Sequence, residues 1–209
     1  ARDRAFRPIR VIPAAGCTET VDATRGIARQ RLRRAGRIKF VEDVTTPMQT
    51  TAQNMIFINS RERRTGNFVF GFSEDGRTCL LAIAVSRGGI GDIDVKTIDG
   101  TNYLFMAGAM GRRGGIFKSC NLNTMQCREQ QFLDRNHISA RFGGFSVNND
   151  ASMIYFSHHG ENGDLVGYSL TSVGGAYELG NETRRCSAVN GPTLTSQMAF
   201  ATGVEVSPN

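Results

Sequence analysis

Short apolar runs alternate with polar, Gly-containing segments along this chain, and one arrangement of them occurs three times at a spacing of about 50 residues. The first copy is the apolar run 54–59, an Arg-rich loop and the run 66–71. The second is 102–107, a loop holding Arg112 and Arg113, and 114–118. The third is 152–157, a polar loop and 163–168. In each copy a Gly opens the second run, as expected of two strands joined into a hairpin. Repeated hairpins at this period predict β units that are stacked or arranged radially.

Turn chemistry extends the pattern. Asp75-Gly76 separates the strand candidates 68–72 and 79–85, and Asp-Gly between apolar runs is a strong hairpin signal. Asp99-Gly100 precedes the second copy and Asn148-Asn149-Asp150 the third. Residues 171–175 separate the candidate ending at Leu170 from that at 176–179. Residues 38–41 read as a strand, 45–53 as a polar connector and 86–91 as a Gly-rich, flexible one. Residues 18–36 are the one helix candidate. Thr20 or Asp22 can cap it, and Val21, Ala28, Leu32 and Ala35 fall near one face. The fold class expected is mainly β, with repeated antiparallel hairpins in a partial propeller-like or sandwich arrangement and one N-terminal helix.

Charge divides the chain. Residues 1–40 carry a net charge of +8 and residues 41–209 a net charge of −2. A basic arm and helix at 1–44 and a β-rich body at 45–209 follow. Arg25, Arg29, Arg33 and Arg37 stand at four-residue steps, so they form a stripe of like charge that needs an acidic surface or solvent beside it. Arg63, Arg64, Arg112 and Arg113 add cations to the hairpin loops. These residues are the candidate binding set. The helix has no aromatic for stacking on bases, so it would hold phosphates without reading sequence.

Five cysteines are present and none forms a Cys-x-x-Cys pair, which argues against zinc or thioredoxin-like chemistry. Cys120 and Cys127 flank a turn-forming run, so a bridge there would clamp a hairpin. No signal-peptide pattern is present, and a start at Ala1 in place of Met reads as that of a processed product. The longest apolar stretch, 79–85, is too short to span a membrane.

Residues 100–180 resemble blades of a β-propeller in the Gly that opens the strand after each loop and in the turn that follows. Three copies are too few to close a ring from one chain. Residues 17–85 resemble small periplasmic proteins of bacteria. The matching features are Cys17, then Gly66-Asn67-Phe68, then Asp75-Gly76, then Cys79-Leu80-Leu81. That resemblance implies export and a Cys17–Cys79 bridge, and it supplies no catalytic residue.

Candidate chemistry is sparse. His158, His159 and Glu161 offer nitrogen and oxygen donors, but neighbouring side chains of an extended loop point apart, so a surface loop is the reading and neither metal nor cofactor is expected. Asp92, Asp94 and Asp99 lack the spacing of a calcium loop. No nucleophile elbow, P-loop or dinucleotide fingerprint occurs. The function expected is an exported, secreted or periplasmic, non-catalytic binding or assembly module. Its basic segment and loop face would contact an acidic partner, a glycan or other polyanion, or a neighbouring subunit of a homo-oligomer. The alternatives are a carbohydrate-active enzyme on a β scaffold and a coat- or capsid-type protein with a basic arm.

Overall fold

The computed structural model describes residues 11–12, 35–60, 67–85, 89–109, 115–132, 141–159 and 165–186. Three antiparallel sheets follow one another along the chain. The first contains β1 (Val11–Ile12), β2 (Ala35–Val44), β3 (Gln53–Ser60), β4 (Asn67–Ser73) and β5 (Cys79–Val85), in the order β1-β5-β4-β3-β2. The second contains β6 (Gly89–Ile98), β7 (Thr101–Ala109), β8 (Gly115–Asn121) and β9 (Cys127–Phe132). The third contains β10 (Arg141–Val147), β11 (Met153–His159), β12 (Leu165–Val173) and β13 (Ala176–Cys186). Each copy of the sequence repeat is the central hairpin of one sheet: β3–β4, β7–β8 and β11–β12. The β-rich class and the repeat are therefore both present in the fold.

The second sheet lies between the other two, and strand alternation decides which neighbour each side chain meets. On β7, Leu104 and Met106 join Met55, Phe57, Val69, Leu81 and Ile83 of the first sheet in one core. The intervening Phe105 and Ala107 join Phe156, Val166 and Tyr177 of the third sheet in another. A strand buried on both faces needs an unbroken apolar run, which residues 103–109 supply. Each fully buried Phe or Leu contributes roughly 1.5–3 kcal/mol. Tyr177 reaches across to set its ring edge-on to Tyr103 at 5.0 Å between centroids. Its backbone exchanges hydrogen bonds with Ser119, whose Oγ donates to Tyr177 O at 2.8 Å and accepts from Tyr177 N at 2.7 Å.

Contacts between sheets fix their relative direction. Residues 37 and 39 of β2 meet residues 92 and 94 of β6, and those two meet residues 145 and 147 of β10. The partners advance together, so β2, β6 and β10, the first strands of the three four-strand meanders, run parallel, side by side. Strands β2–β5, β6–β9 and β10–β13 each form an up-and-down meander, and β1 is added at the β5 edge of the first. Strands β3, β7 and β11 therefore all end at the same end of the stack.

The opposite end holds tight turns. Asp99 and Gly100 have φ of 49° and 72°, and Gly174 and Gly175 have 57° and 80°, the left-handed pair of a type I′ hairpin. Three longer turns close the same way, with Ser73 N donating to Thr78 O, Asn121 N to Gln126 O and Asn148 N to Met153 O. In two of them an Asp caps the loop: Arg77 N donates to Asp75 and Ser152 N to Asp150, each at 3.0 Å. Hydrogen bonds from Ser73 and Ser152 respectively hold these two carboxyls below their ordinary pKa.

Several expectations are corrected. Ala35, Gly36 and Arg37, read as the end of a helix, belong to β2, where pairing with β3 outweighs the helical spacing. Residues 18–34 lie outside the described residues. No helix occurs among the described residues. Residues 89–91, read as a flexible connector, begin β6, because Gly89 and Ile90 pair with Ala109 and Gly108. Strand β2 is hydrogen-bonded to β3 and is a member of the first sheet.

Cys120 and Cys127 are bridged across the β8–β9 turn, with Cα atoms 4.1 Å apart. Cys120 is wholly buried in the core between the first and second sheets. Replacing both with Ala should lower stability by about 2–3 kcal/mol, the cost of releasing so short a loop in the unfolded chain. Urea unfolding of the full chain reads this directly, and an unchanged midpoint would show that the turn holds without the bridge.

Candidate functional site

The densest arrangement of charge among the described residues runs along the parallel first strands. On β6, Asp92 and Asp94 alternate with Ile93 and Val95. The apolar pair enters the core against the first sheet, and the carboxylates take the other side. Their side chains are only 5% and 3% exposed, so both charges need partners.

Each carboxylate bridges two sheets. Asp92 Oδ2 accepts from Phe145 N at 3.0 Å, and its Oδ1 lies 3.1 Å from Arg37 Nε. Asp94 Oδ2 accepts from Val147 N at 3.0 Å and from Ser146 Oγ at 3.4 Å, and its Oδ1 lies 3.4 Å from Lys39 Nζ. Lys96 Nζ stands 4.0 Å from Asp94. Phe145 and Val147 are on the edge strand of the third sheet, so their N–H groups point out of that sheet's own ladder. The carboxylates satisfy an edge that would otherwise be left open. Burial raises the Asp92 pKa; the Phe145 N–H and Arg37 oppose that rise without cancelling it.

Neutral groups reinforce the seam. Arg37 N donates to Asn59 Oδ1, and Asn59 Nδ2 donates to Ile90 O at 3.4 Å. Asn102 Nδ2 donates to Asp43 O at 3.1 Å. Farther out, Arg128 pairs with Glu178 across the second and third sheets, and Lys118 sits 3.4 Å from Glu129. Burial lowers the Lys118 pKa, and Glu129 works against that shift.

Of the candidate residues named from sequence, Arg37 lies on β2 in the ion pair with Asp92, with its side chain 44% exposed. Arg25, Arg29, Arg33, Arg63, Arg64, Arg112, Arg113, Cys17 and Glu161 lie outside the described residues. His158 and His159 stand at the end of β11, opposite Phe142 and Arg141. Cys79 is disulfide-bonded, to a cysteine other than Cys120 and Cys127. Among the described residues no group of three or more His, Cys, Asp or Glu is placed to hold a metal ion. The carboxylate seam was missed in the sequence because Asp92 and Asp94 were weighed only as calcium ligands. Their alternation with Ile93 and Val95 was the available signal for a strand.

Charge is also sorted between the two ends of the stack. The tight-turn end carries Asp43, Glu74, Asp75, Asp99, Asp150 and Glu178 against Arg77 and Arg128. The opposite strand ends carry Arg37, Arg141, Arg184 and Arg185. In sequence, the segments between β3 and β4, β7 and β8, and β11 and β12 hold Arg61, Arg63, Arg64, Arg112 and Arg113 against Glu62, Glu161 and Asp164.

No protein-family model matches the chain, and no curated protein matches it in sequence.

Asn in place of Asp94 has one acceptor oxygen where the structure uses two, so its amide would face a donor, Val147 N or Val95 N. Asp94→Asn should therefore cost about 1–3 kcal/mol, measured by urea unfolding. Equal stability would mean that water serves the edge as well.

Asp92 gives a pH test. Its folded pKa lies above the ordinary 3.8, so the folded state binds the extra proton. The stability that this protonation contributes is complete below 3.8 and is lost as pH rises through the folded value. The stability of the wild type relative to Asp92→Asn should accordingly fall between acid and neutral pH. A relative stability that rises over this range would contradict the assignment.

Proposed function

We propose that this protein is an exported, non-catalytic binding module that presents a cationic end to a polyanion or acidic partner. The observation that carries the reading is the sorting of charge between the ends of the stack. Parallel first strands bring the strand ends that carry Arg37, Arg141, Arg184 and Arg185 to one side, while tight acidic turns close the other. An end of one sign concentrates counter-charged ligands and steers them toward it. Loops mounted on a rigid sheet scaffold are the usual carriers of such contacts.

The placement of buried charge agrees with a scaffold. Asp92 and Asp94 are held by backbone donors and lysine or arginine partners between sheets. These contacts hold the sheets together. The arrangement of the sheets follows the same reading: three consecutive meanders with first strands side by side correspond to an arc of propeller-like blades. The Cys120–Cys127 bridge and the bonded Cys79 favour an oxidising compartment, hence export. No helix among the described residues is long and apolar enough to cross a membrane.

Retention on an immobilised sulfated polysaccharide, eluted with salt, tests this reading. Replacing Arg63, Arg64, Arg112 and Arg113 with Gln should weaken binding by about tenfold or more and flatten its salt dependence, with the unfolding midpoint unchanged. Retention equal to that of the wild type would remove the hairpin segments from the binding surface.

A further inference from the structure

The three sheets meet by one rule. Each later sheet turns an apolar face toward the sheet before it, and corresponding positions on the first strands carry that face. Arg37 and Lys39 of β2 correspond to Asp92 and Asp94 of β6, with which they pair. One position further on, Ile93 and Val95 of β6 face the first sheet, and Phe145 and Val147 of β10 face the second. Their counterparts on β2 are Ile38 and Phe40. Ile93, Phe145 and Val147 are at most 3% exposed, whereas Ile38 is 61% and Phe40 51% exposed. Ile38 pairs with Ile58 and Phe40 with Ile56, and on β4 these continue into Phe70 and Phe72. The first sheet therefore presents the same apolar face as the other two, with no sheet upon it among the described residues.

The third sheet has the matching side. Ile154, Phe156, Val166 and Tyr168 lie in the core, so Met153, Tyr155, Leu165 and Gly167 take the face turned away from the second sheet. A Cβ at Gly167 would stand 3.1 Å from the Tyr155 ring and 3.2 Å from Met153 Cε. Both side chains thus lie low over β12, and with Leu165 they make a shallow, half-buried apolar surface. On β10, Gly144 and Ser146 take the places that Asp92 and Asp94 hold on β6, so no carboxylate stands there. Large side chains on one face and small ones along the other let two layers interdigitate.

We propose that a second copy of the chain covers this face. The outer face of the first sheet in each copy packs on the outer face of the third sheet in the other, and the two copies close a ring of six sheets about a two-fold axis. Continuity favours a second copy. The rule that seats the second sheet on the first, and the third on the second, is repeated at the joint without a new kind of contact. Among the described residues, the third sheet holds the one face of the required kind with no sheet upon it. A head-to-tail contact of this sort makes a closed ring when its rotation closes. Six sheets fall within the range of about four to eight in closed propellers. The area is sufficient. Four seven-residue strands cover ~14 by ~23 Å, or about 330 Å². The ring covers four such faces, about 1,300 Å², which a stable interface needs. The two-fold axis runs along the ring, so Arg37, Arg141, Arg184 and Arg185 of both copies share one rim. The inference stands on the faces of the sheets and does not depend on the polyanion-binding reading.

Sedimentation equilibrium of the full chain over a range of concentrations is the test, and it needs no ligand. The mass should be that of two copies. The pair Ile38→Lys and Phe40→Lys should raise the dissociation constant by about tenfold or more, because it buries unpaired charge in the joint. The pair Met153→Lys and Tyr155→Lys, on the other side of the joint, should do the same. Circular dichroism reports whether each variant keeps its strands, and the milder Phe40→Ser and Tyr155→Ser replace a pair that does not. Salt should leave the association intact, because the joint is apolar. A wild-type chain that stays single at every concentration overturns the proposal, as do masses of three copies or more. A dimer broken by the first pair and untouched by the second also overturns it, because that dimer joins two first sheets face to face. Dissociation in salt overturns it as well and assigns the association to exposed charge.

Discussion

Two buried carboxylates on one strand hold this architecture together. A sheet has edges, and an edge leaves N–H groups that must be bonded or wet. Here the inner edge of the third sheet is bonded by Asp92 and Asp94 of the second, and the same two side chains receive Arg37 and Lys39 of the first. Three sheets that share only apolar faces could slide over one another, since hydrophobic contact has no direction. Four charge-assisted contacts at fixed spacing remove that freedom and set the first strands parallel and in step.

The consequences reach the surface. Parallel β2, β6 and β10 bring the ends of equivalent strands together, so a repeat in sequence becomes a polarity in space. Short turns need Asp, Asn and Gly for left-handed or side-chain-capped conformations, and this makes the turn end acidic. The segments between the paired apolar runs of the first two repeats carry Arg61, Arg63, Arg64, Arg112 and Arg113 in sequence. Charge separation between the ends thus has its origin partly in turn stereochemistry and partly in the direction imposed by the carboxylate seam.

Much of the fold was legible in the chain. The three hairpins announced themselves because the central strands of each sheet are buried and nearly continuous in apolar residues, and because Asp99-Gly100 and Asp75-Gly76 punctuate them. The first and fourth strands were harder. Strand β6 puts Asp at buried positions, β10 contains two glycines and a register shift, and β9 reads Cys-Arg-Glu-Gln-Gln-Phe. Polar residues at these places pack against neighbouring sheets through hydrogen bonds, so they break the pattern that marks a strand. Arg37 shows the same limit: its four-residue spacing from Arg33 suggested a helix, while pairing with β3 made it a strand residue.

The sequence by itself determined the class of structure, the sites of its turns and the Cys120–Cys127 clamp, because these depend on neighbours within a few residues. Tertiary structure alone decided that Asp92 and Asp94 are a structural seam. It also decided that β1 and β2 are parallel edges of one sheet, and that basic and acidic groups collect at opposite ends. The physical reason is range. Turn geometry, strand periodicity and a short disulfide are local, whereas a buried charge takes its role from partners more than 50 residues away along the chain.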